Sequence, residues 1–485
     1  MATPIPSNHA RFSLWEIAAI TGGEIVGRVS DDHAAAIGVV TDSRAVVSGN
    51  AFVAIRGEAM DGHAFVGEAM QKGAAVAVVE RGRVATSDAS VVVEVGSTLD
   101  ALGKLAAAHV EAWRRRKPGA RVVAITGSAG KTTTKELLAA ILQGVGACHA
   151  TRGNLNNRVG APMVAFGLLD QAFAVFELGM SVPGEIEALT RMVLPDVAVL
   201  LNIGLAHAEG FGGSRTRIAA EKGAIFTTVT PAQTAIANAD DPVATAQLRR
   251  ARARHVTFGT AAGANVQLVK RECVDDGSRV TIARAHDVSE HDLPVVGEAA
   301  AINLTAAIAA ADAALGFALP SASISLALSR WSPPKGRGVA YGLEGDILVL
   351  DDTYNANPAS MRAAMKALAD ERTRRGRRAI CVLGEMRELG PLSAEEHEGL
   401  GAELARFGFD LAIGCGGEID LALRRAERDG ARVEKAKSAE EAGEIVSTAA
   451  RPGDIILFKG SRGATVEVAL RALEAKHPPL SRGPA

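Results

Sequence analysis

The chain has 485 residues, of which 48% are hydrophobic, and a mean hydropathy of +0.13. It is too long for one ordinary core and too apolar to be disordered, so about two to four domains are expected. Lys and Arg number 53 against 55 Asp and Glu, a net charge of −2, which provides no overall field for a polyanion or an anionic membrane surface.

The N-terminus, MATPIPSNHARFSLWEIAAITGG, has neither a basic leader region nor a long apolar one. No apolar stretch reads as long enough to span a bilayer, and no membrane insertion is expected. A first block, residues 1–112, mixes short apolar strands (IGVVT, AFVAI, AAVAVVE, SVVVEV) with helical runs such as HAFVGEAMQKGA. The basic segment Arg114 to Pro118 reads as a linker. Its arginines, and those of RTRRGRR further on, read as solvated helix ends, so no nucleic-acid partner is expected. Four cysteines, Cys148, Cys273, Cys381 and Cys415, lie far apart without CxxC spacing. That excludes zinc ribbons and redox motifs and points to a reduced, cytoplasmic chain.

The second block, residues 113–332, opens on the strand RVVAITG and continues through AFAVFELGM, VAVLLNIG and TAIANAD. Apolar runs alternating with helical segments predict a largely parallel sheet covered on both faces. At the first junction stand Gly127, Ser128, Ala129, Gly130, Lys131, Thr132 and Thr133, between an apolar strand and a helix. Glycines let backbone N–H groups close around an anion, and a helix N-terminus carries partial positive charge. Lys131 would reach terminal phosphates and Thr132 would offer its hydroxyl to magnesium. The loop is shorter than a full Walker A motif, because Ile125 stands where the first glycine would be. Glu177 ends an apolar strand, where a carboxylate is costly unless it is ion-paired or binds a cation. His207 follows another strand, near Glu221 and Lys222. Paired prolines and glycines in RWSPPKGRGVAYG mark a second break. The third block, residues 333–485, repeats the alternation in DILVLDDTYNANP, RAICVLGEM, DLAIGCG and DIILFKGSRG. No internal repeat is visible. Ligands of open α/β sheets sit beyond the carboxyl ends of strands, where these polar residues cluster.

TGSAGKTT, ELGM, NIGLAHAEGFGG and AAEKGAIF, in this order, resemble the central domain of the Mur ligases. TDSRAVVSGNAFVAIRGEAMDGHAFVGEAMQKGA resembles their UDP-binding domain, and DDTYNANPASM, VLGEMRELG and FKGSRG resemble their last domain. TRGNLNNRVGAP, DTYNANP and LGEMRELG are most similar to the member acting last in the series. The resemblance implies an α/β fold of three domains, with a central, mostly parallel P-loop ATPase-like sheet and a C-terminal Rossmann-like domain. It implies ATP-dependent ligation of D-alanyl-D-alanine to UDP-N-acetylmuramoyl-tripeptide through an acyl phosphate, with ATP and Mg2+ required. A different amino acid, such as meso-diaminopimelate or lysine, is the alternative addition, and a non-ligating nucleotide-binding protein is the alternative class. A monomer is expected.

By the same resemblance, Lys131, Glu177, His207 and Lys222 are the catalytic set. Thr132 and Glu177 would hold one magnesium, and His207 would help hold a second beside Lys222. The matching lysine of relatives carries a carbamate; an unmodified lysine paired with Glu221 or a phosphate is the alternative. Asn303, Arg337 and Asp352 match nucleotide contacts. Ser43 and Arg44 would face the UDP moiety, and Asn156 and Asn157 the muramoyl peptide. Asn355 and Asn357 would touch either the dipeptide or the nucleotide.

Overall fold

The computed structural model describes residues 3–480, apart from 7, 28, 30–34, 58, 59, 85–90, 276 and 286. Three α/β domains follow one another, each built on its own main sheet. The first sheet has five strands in the order Glu24–Val26, Val92–Val95, Val76–Glu80, Ala51–Val53 and Val39–Val40. Only its first pair is antiparallel.

The central sheet has nine strands. Seven run parallel, from Cys148–Ala150 at one edge through Phe173–Glu177, Arg121–Thr126, Val197–Leu200, Thr234–Asn238 and Arg254–Gly259 to Val266–Val274. Gly277–Arg284 and Asp287–Leu293 then extend it as antiparallel hairpins. Those hairpins carry polar residues on alternate positions and went unread in the sequence. Alternate side chains of the parallel strands enter two different cores. Ala124, Phe176 and Leu200 enter one, Val123, Val175 and Val199 the other. The first core continues without a break into the first domain through the helix Thr98–Arg116.

That helix corrects the expected linker. Its last turn contains Arg114, Arg115 and Arg116, and Arg114 is held by Asp196 (3.0 Å) and the Leu194 carbonyl (2.6 Å). A buried Trp113 packs the turn against the central domain, so the basic segment is a rigid helix end. A second correction concerns the helix Glu298–Leu315. With 18 residues and a mean hydropathy of 1.3 it is apolar enough, by length and composition, to cross a membrane. Here it is a core helix. Its alanines allow close approach to the central sheet and to the helix Lys131–Gln143.

The third sheet runs Val339–Leu343, Ile347–Asp352, Ile455–Lys459, Ala379–Leu383, Leu411–Gly414 and Val433–Lys435, parallel except for its first pair. Helices cover both faces, with separate cores on each. The carboxyl ends of the strands Ile347–Asp352 and Ile455–Lys459 face the central domain's phosphate-type loop.

Candidate active site

A cleft of about 970 Å³ lies between the central and third domains. Its floor is the loop between the strand Arg121–Thr126 and the helix Lys131–Gln143. Gly130 caps that helix at φ +84°, and a Cβ there would stand 2.3 Å from Asn303 Oδ1. Asn303, on the long core helix, therefore packs directly on the loop, as only glycine permits. Asn202 staples the loop from the next strand. Its Oδ1 accepts from the Ala129 N–H (2.8 Å) and its Nδ2 donates to the Ala129 carbonyl (3.0 Å). Ser128 Oγ donates to the Gly204 carbonyl and accepts from the Gly204 N–H. Asn202 opens the stretch NIGLAHAEGFGG, directly after the strand Val197–Leu200 and Leu201.

Glu177 is buried at the end of its strand. The Thr132 hydroxyl donates to its Oε2 (2.9 Å), and Asn156 Nδ2 donates to its Oε1 (2.8 Å). Among the described residues, two polar donors and no direct ion pair satisfy this carboxylate. Asn157 lines the cleft and uses its Oδ1 to accept from the Val159 and Gly160 N–H groups.

Lys131 and Lys222 converge on one acceptor, the Gly127 carbonyl, at 2.7 and 3.2 Å. Lys222 is fully buried. Burial, and then the neighbouring Lys131, hold its amine well below the ordinary lysine range. Burial lowers Lys131 as well, against the raising effect of Glu177. Glu221, one of the two partners considered for an unmodified Lys222, instead accepts from the Gly184 and Ile186 N–H groups and caps the helix Glu185–Val193.

The third domain supplies the opposite wall. Arg337 Nη2 donates to Thr132 Oγ1 (3.3 Å) and stacks 4.0 Å from the centre of the Tyr354 ring. Asn357 caps the helix Pro358–Arg375 and also donates to the Ser128 carbonyl (3.1 Å). Asp352 pairs with the buried Lys459 at 2.6 Å. Burial raises the Asp352 carboxyl, and Lys459 opposes the rise. Lys459 also donates to the Asn355 carbonyl. His207 meets Glu388 of the third domain, which lowers the glutamate's pKa.

The structure thus gathers in the cleft every site residue expected from the sequence except Gly127 and Lys222, which lie just beneath the floor, and Ser43 and Arg44. Those two stay in the first domain: Ser43 Oγ donates to Glu68 (3.1 Å), and Arg44 pairs with Asp42. Glu388, Tyr354 and Asn202 were missed as functional positions. Glu388 stands in the recognised stretch VLGEMRELG, but nothing in the sequence places it against His207.

Three descriptions match the chain in order: Mur ligase family, catalytic domain, at residues 37–110; Mur ligase middle domain at 125–311; and Mur ligase, glutamate ligase domain, at 336–462. The chain is 33% identical over 445 residues to UDP-N-acetylmuramoyl-tripeptide–D-alanyl-D-alanine ligase of Bacillus subtilis, covering 90% of this chain and 93% of the relative. It is 32% identical over 465 residues to the ligase of the same name from Escherichia coli, covering 95% and 98%. The chain belongs to the Mur ligase family. Among solved structures, MurF from Acinetobacter baumannii superposes with a TM-score of 0.86 at 33% identity, covering 97% of this chain and 100% of the other. MurF ligase from Thermotoga maritima in complex with ADP gives 0.79 at 30% identity, covering 90% and 97%.

The donor set of this Mur ligase fits magnesium. Thr132 and Glu177 present hard oxygens 2.9 Å apart. Magnesium is bound by one or two carboxylates with waters and phosphate oxygens, and needs no all-protein cage. Among the described residues no cluster of three or more His, Cys, Asp and Glu side chains forms such a cage.

Proposed function

We propose that this chain joins D-alanyl-D-alanine to UDP-N-acetylmuramoyl-tripeptide at the expense of ATP, yielding ADP and phosphate. One observation carries the nucleotide end of this reading. The Lys131 amine and the N-terminus of the helix Lys131–Gln143 meet at one glycine loop on the cleft floor, a concentration of positive charge that a polyphosphate would offset. The dipeptide end rests on the full-length likeness to ligases of that name.

The chemical difficulty is that a carboxylate is a poor electrophile and is repelled by the γ-phosphate. The loop N–H groups and Lys131 would offset that repulsion as the carboxylate oxygen bonds to phosphorus and ADP departs. The dipeptide amine then attacks the acyl carbon, and phosphate leaves. Arg337, Tyr354 and Asn357, reaching over the loop from the third domain, would hold the nucleotide and exclude water from the acyl phosphate. Magnesium, when bound, would draw charge from the transferring phosphoryl group. Thr132 and Glu177 would hold one ion, and His207 would help hold a second.

Lys222 fits a carbamate better than an ammonium. A neutral amine is the form that reacts with carbon dioxide, and burial favours that form. Asn303 and Asp352 would contact the nucleotide, while Asn156 and Asn157 would contact the peptide. Asn355 and Asn357 would touch either the dipeptide or the nucleotide, and Asn357 also reaches the loop. Residues 1–112, with Ser43 and Arg44, would take the UDP moiety. The nucleotide-linked substrate is water-soluble, which supports a cytoplasmic site of action.

The test is ADP release by the purified chain with UDP-muramoyl-tripeptide, comparing D-alanyl-D-alanine with meso-diaminopimelate and lysine. Release with the dipeptide alone is expected. Release with a single amino acid in its place would reassign the substrate, and none with any acceptor would refute ligation.

A further inference from the structure

His207 and Glu388 meet across the seam between the central and third domains. His207 follows the strand Val197–Leu200, and Glu388 follows the strand Ala379–Leu383. The imidazole Nδ1 stands against the Glu388 carboxylate at ion-pair distance, without hydrogen-bond alignment in this arrangement of the two side chains, and Nδ1 has no other hydrogen-bond partner among the described residues. The backbones join as well: the Glu209 N–H donates to the Glu388 carbonyl (3.1 Å). Both residues hold left-handed conformations, φ +61° for His207 and +63° for Glu388. Such backbones are uncommon outside glycine and persist where the surroundings over-determine them.

The surroundings do so here. Leu205 of the central domain packs against the core of the third. Leu392 of the third packs against the core shared by the first two. At Gly390, φ +55°, a Cβ would come within 3.0 Å of the Glu209 backbone. The two loops interlock, and the His207–Glu388 pair sits at the cleft end of the joint.

We infer that Glu388 is a positioning residue for His207, delivered by the third domain. An ionised carboxylate only accepts hydrogen bonds, so it keeps the proton on Nδ1 and leaves the lone pair on Nε2. A histidine that serves a metal or a phosphoryl group needs that tautomer fixed by such a partner. Because the partner belongs to another domain, the central domain's own set is incomplete until the third domain docks. Acyl-phosphate chemistry is thereby tied to closure, when water is excluded. The consequence for turnover rests on the ligase reading above; the pairing and its effect on the imidazole do not.

Two measurements on the full chain test this. First, Glu388→Gln, which keeps shape but lacks the charge, should lower kcat about 10- to 100-fold, the usual effect of losing such a partner. The KM for ATP should stay within about twofold. In a His207→Gln background the same change should have no further effect, because Glu388 acts through the histidine. Second, 15N-histidine spectra of the nucleotide-free protein should show the His207 ring nitrogens shifted in Glu388→Gln, with the other histidine signals in place. Unchanged His207 nitrogens overturn the inference even if no ligase activity is found. So do kcat losses that add in the double variant.

Discussion

Lys222 is a fully buried amine that donates to a carbonyl that Lys131 also uses. In the unfolded chain it keeps its proton up to about its ordinary value of 10.5; in the fold it keeps it only at much lower pH. Between these limits the unfolded state binds more protons, so stability rises with pH. Lys222→Met should therefore raise the melting temperature at pH 7, and the gain should shrink towards pH 10. Calorimetry in nucleotide-free, carbon-dioxide-free buffer checks the sign; a gain that widens with pH would contradict it. Gly130 is the other critical position. Alanine there must adopt φ +84°, at a cost of about 1–2 kcal/mol, and must displace Asn303. Loss of that magnitude from the loop's bound geometry should weaken ADP about 5- to 30-fold by titration calorimetry.

At the scale of elements, Asn357 serves two. Its Oδ1 accepts from the Ser360 N–H and starts the helix Pro358–Arg375, while its Nδ2 reaches the loop of the central domain. Asn357→Ala should cost about 1 kcal/mol through the lost cap, a fall of about 2–4 °C for a domain of this size. It should also weaken nucleotide binding, which a surface cap would not. Equal ADP affinity with a lowered melting temperature would confine the residue to the helix. The motif DTYNANP was readable as a polar strand end followed by a helix, since asparagine and proline mark that start. Its second bond was not readable, because the Ser128 carbonyl comes from 229 residues away.

At the scale of the molecule, the antiparallel extension of the central sheet braces the third domain. Arg271 pairs with Asp370, and Asp275 with Arg374 (3.6 Å), on the helix Pro358–Arg375. Glu298 pairs with Lys366 of the same helix. Arg271→Glu sets two carboxylates against each other at a seam that is largely buried on the arginine side. The radius of gyration in small-angle scattering should increase in nucleotide-free protein, with lowered turnover. An unchanged radius would show that the Arg271–Asp370 pair is not needed to hold the two domains together. The run RTRRGRR belongs to this scale as well. Expected as a solvated helix end, it is ion-paired throughout: Arg372 to Asp410, Arg374 and Arg375 to Glu371, Arg377 to Asp346, Arg378 to Asp454. Glu371 comes from the same helix, and Asp346, Asp410 and Asp454 each stand just before a strand of the third sheet; together they neutralise the patch.

The sequence by itself determined the α/β alternation, the phosphate-type loop and its lysine, and most of the polar strand ends that line the cleft. These are local properties. Strand periodicity, glycine at a left-handed cap and a hydroxyl after a lysine are written in consecutive residues, so neighbours along the chain suffice to read them. The tertiary structure alone decided that Lys222 is buried, that Glu221 caps a helix instead of pairing with it, and that Glu388 meets His207. It also decided that the basic run at Arg114 is a pinned helix end and that the apolar helix Glu298–Leu315 lies in a core. Each of these depends on what the other side of a contact supplies: a carbonyl, a carboxylate or a sheet face from a distant segment. Desolvation and pairing energies are set by that partner, and no local pattern records it.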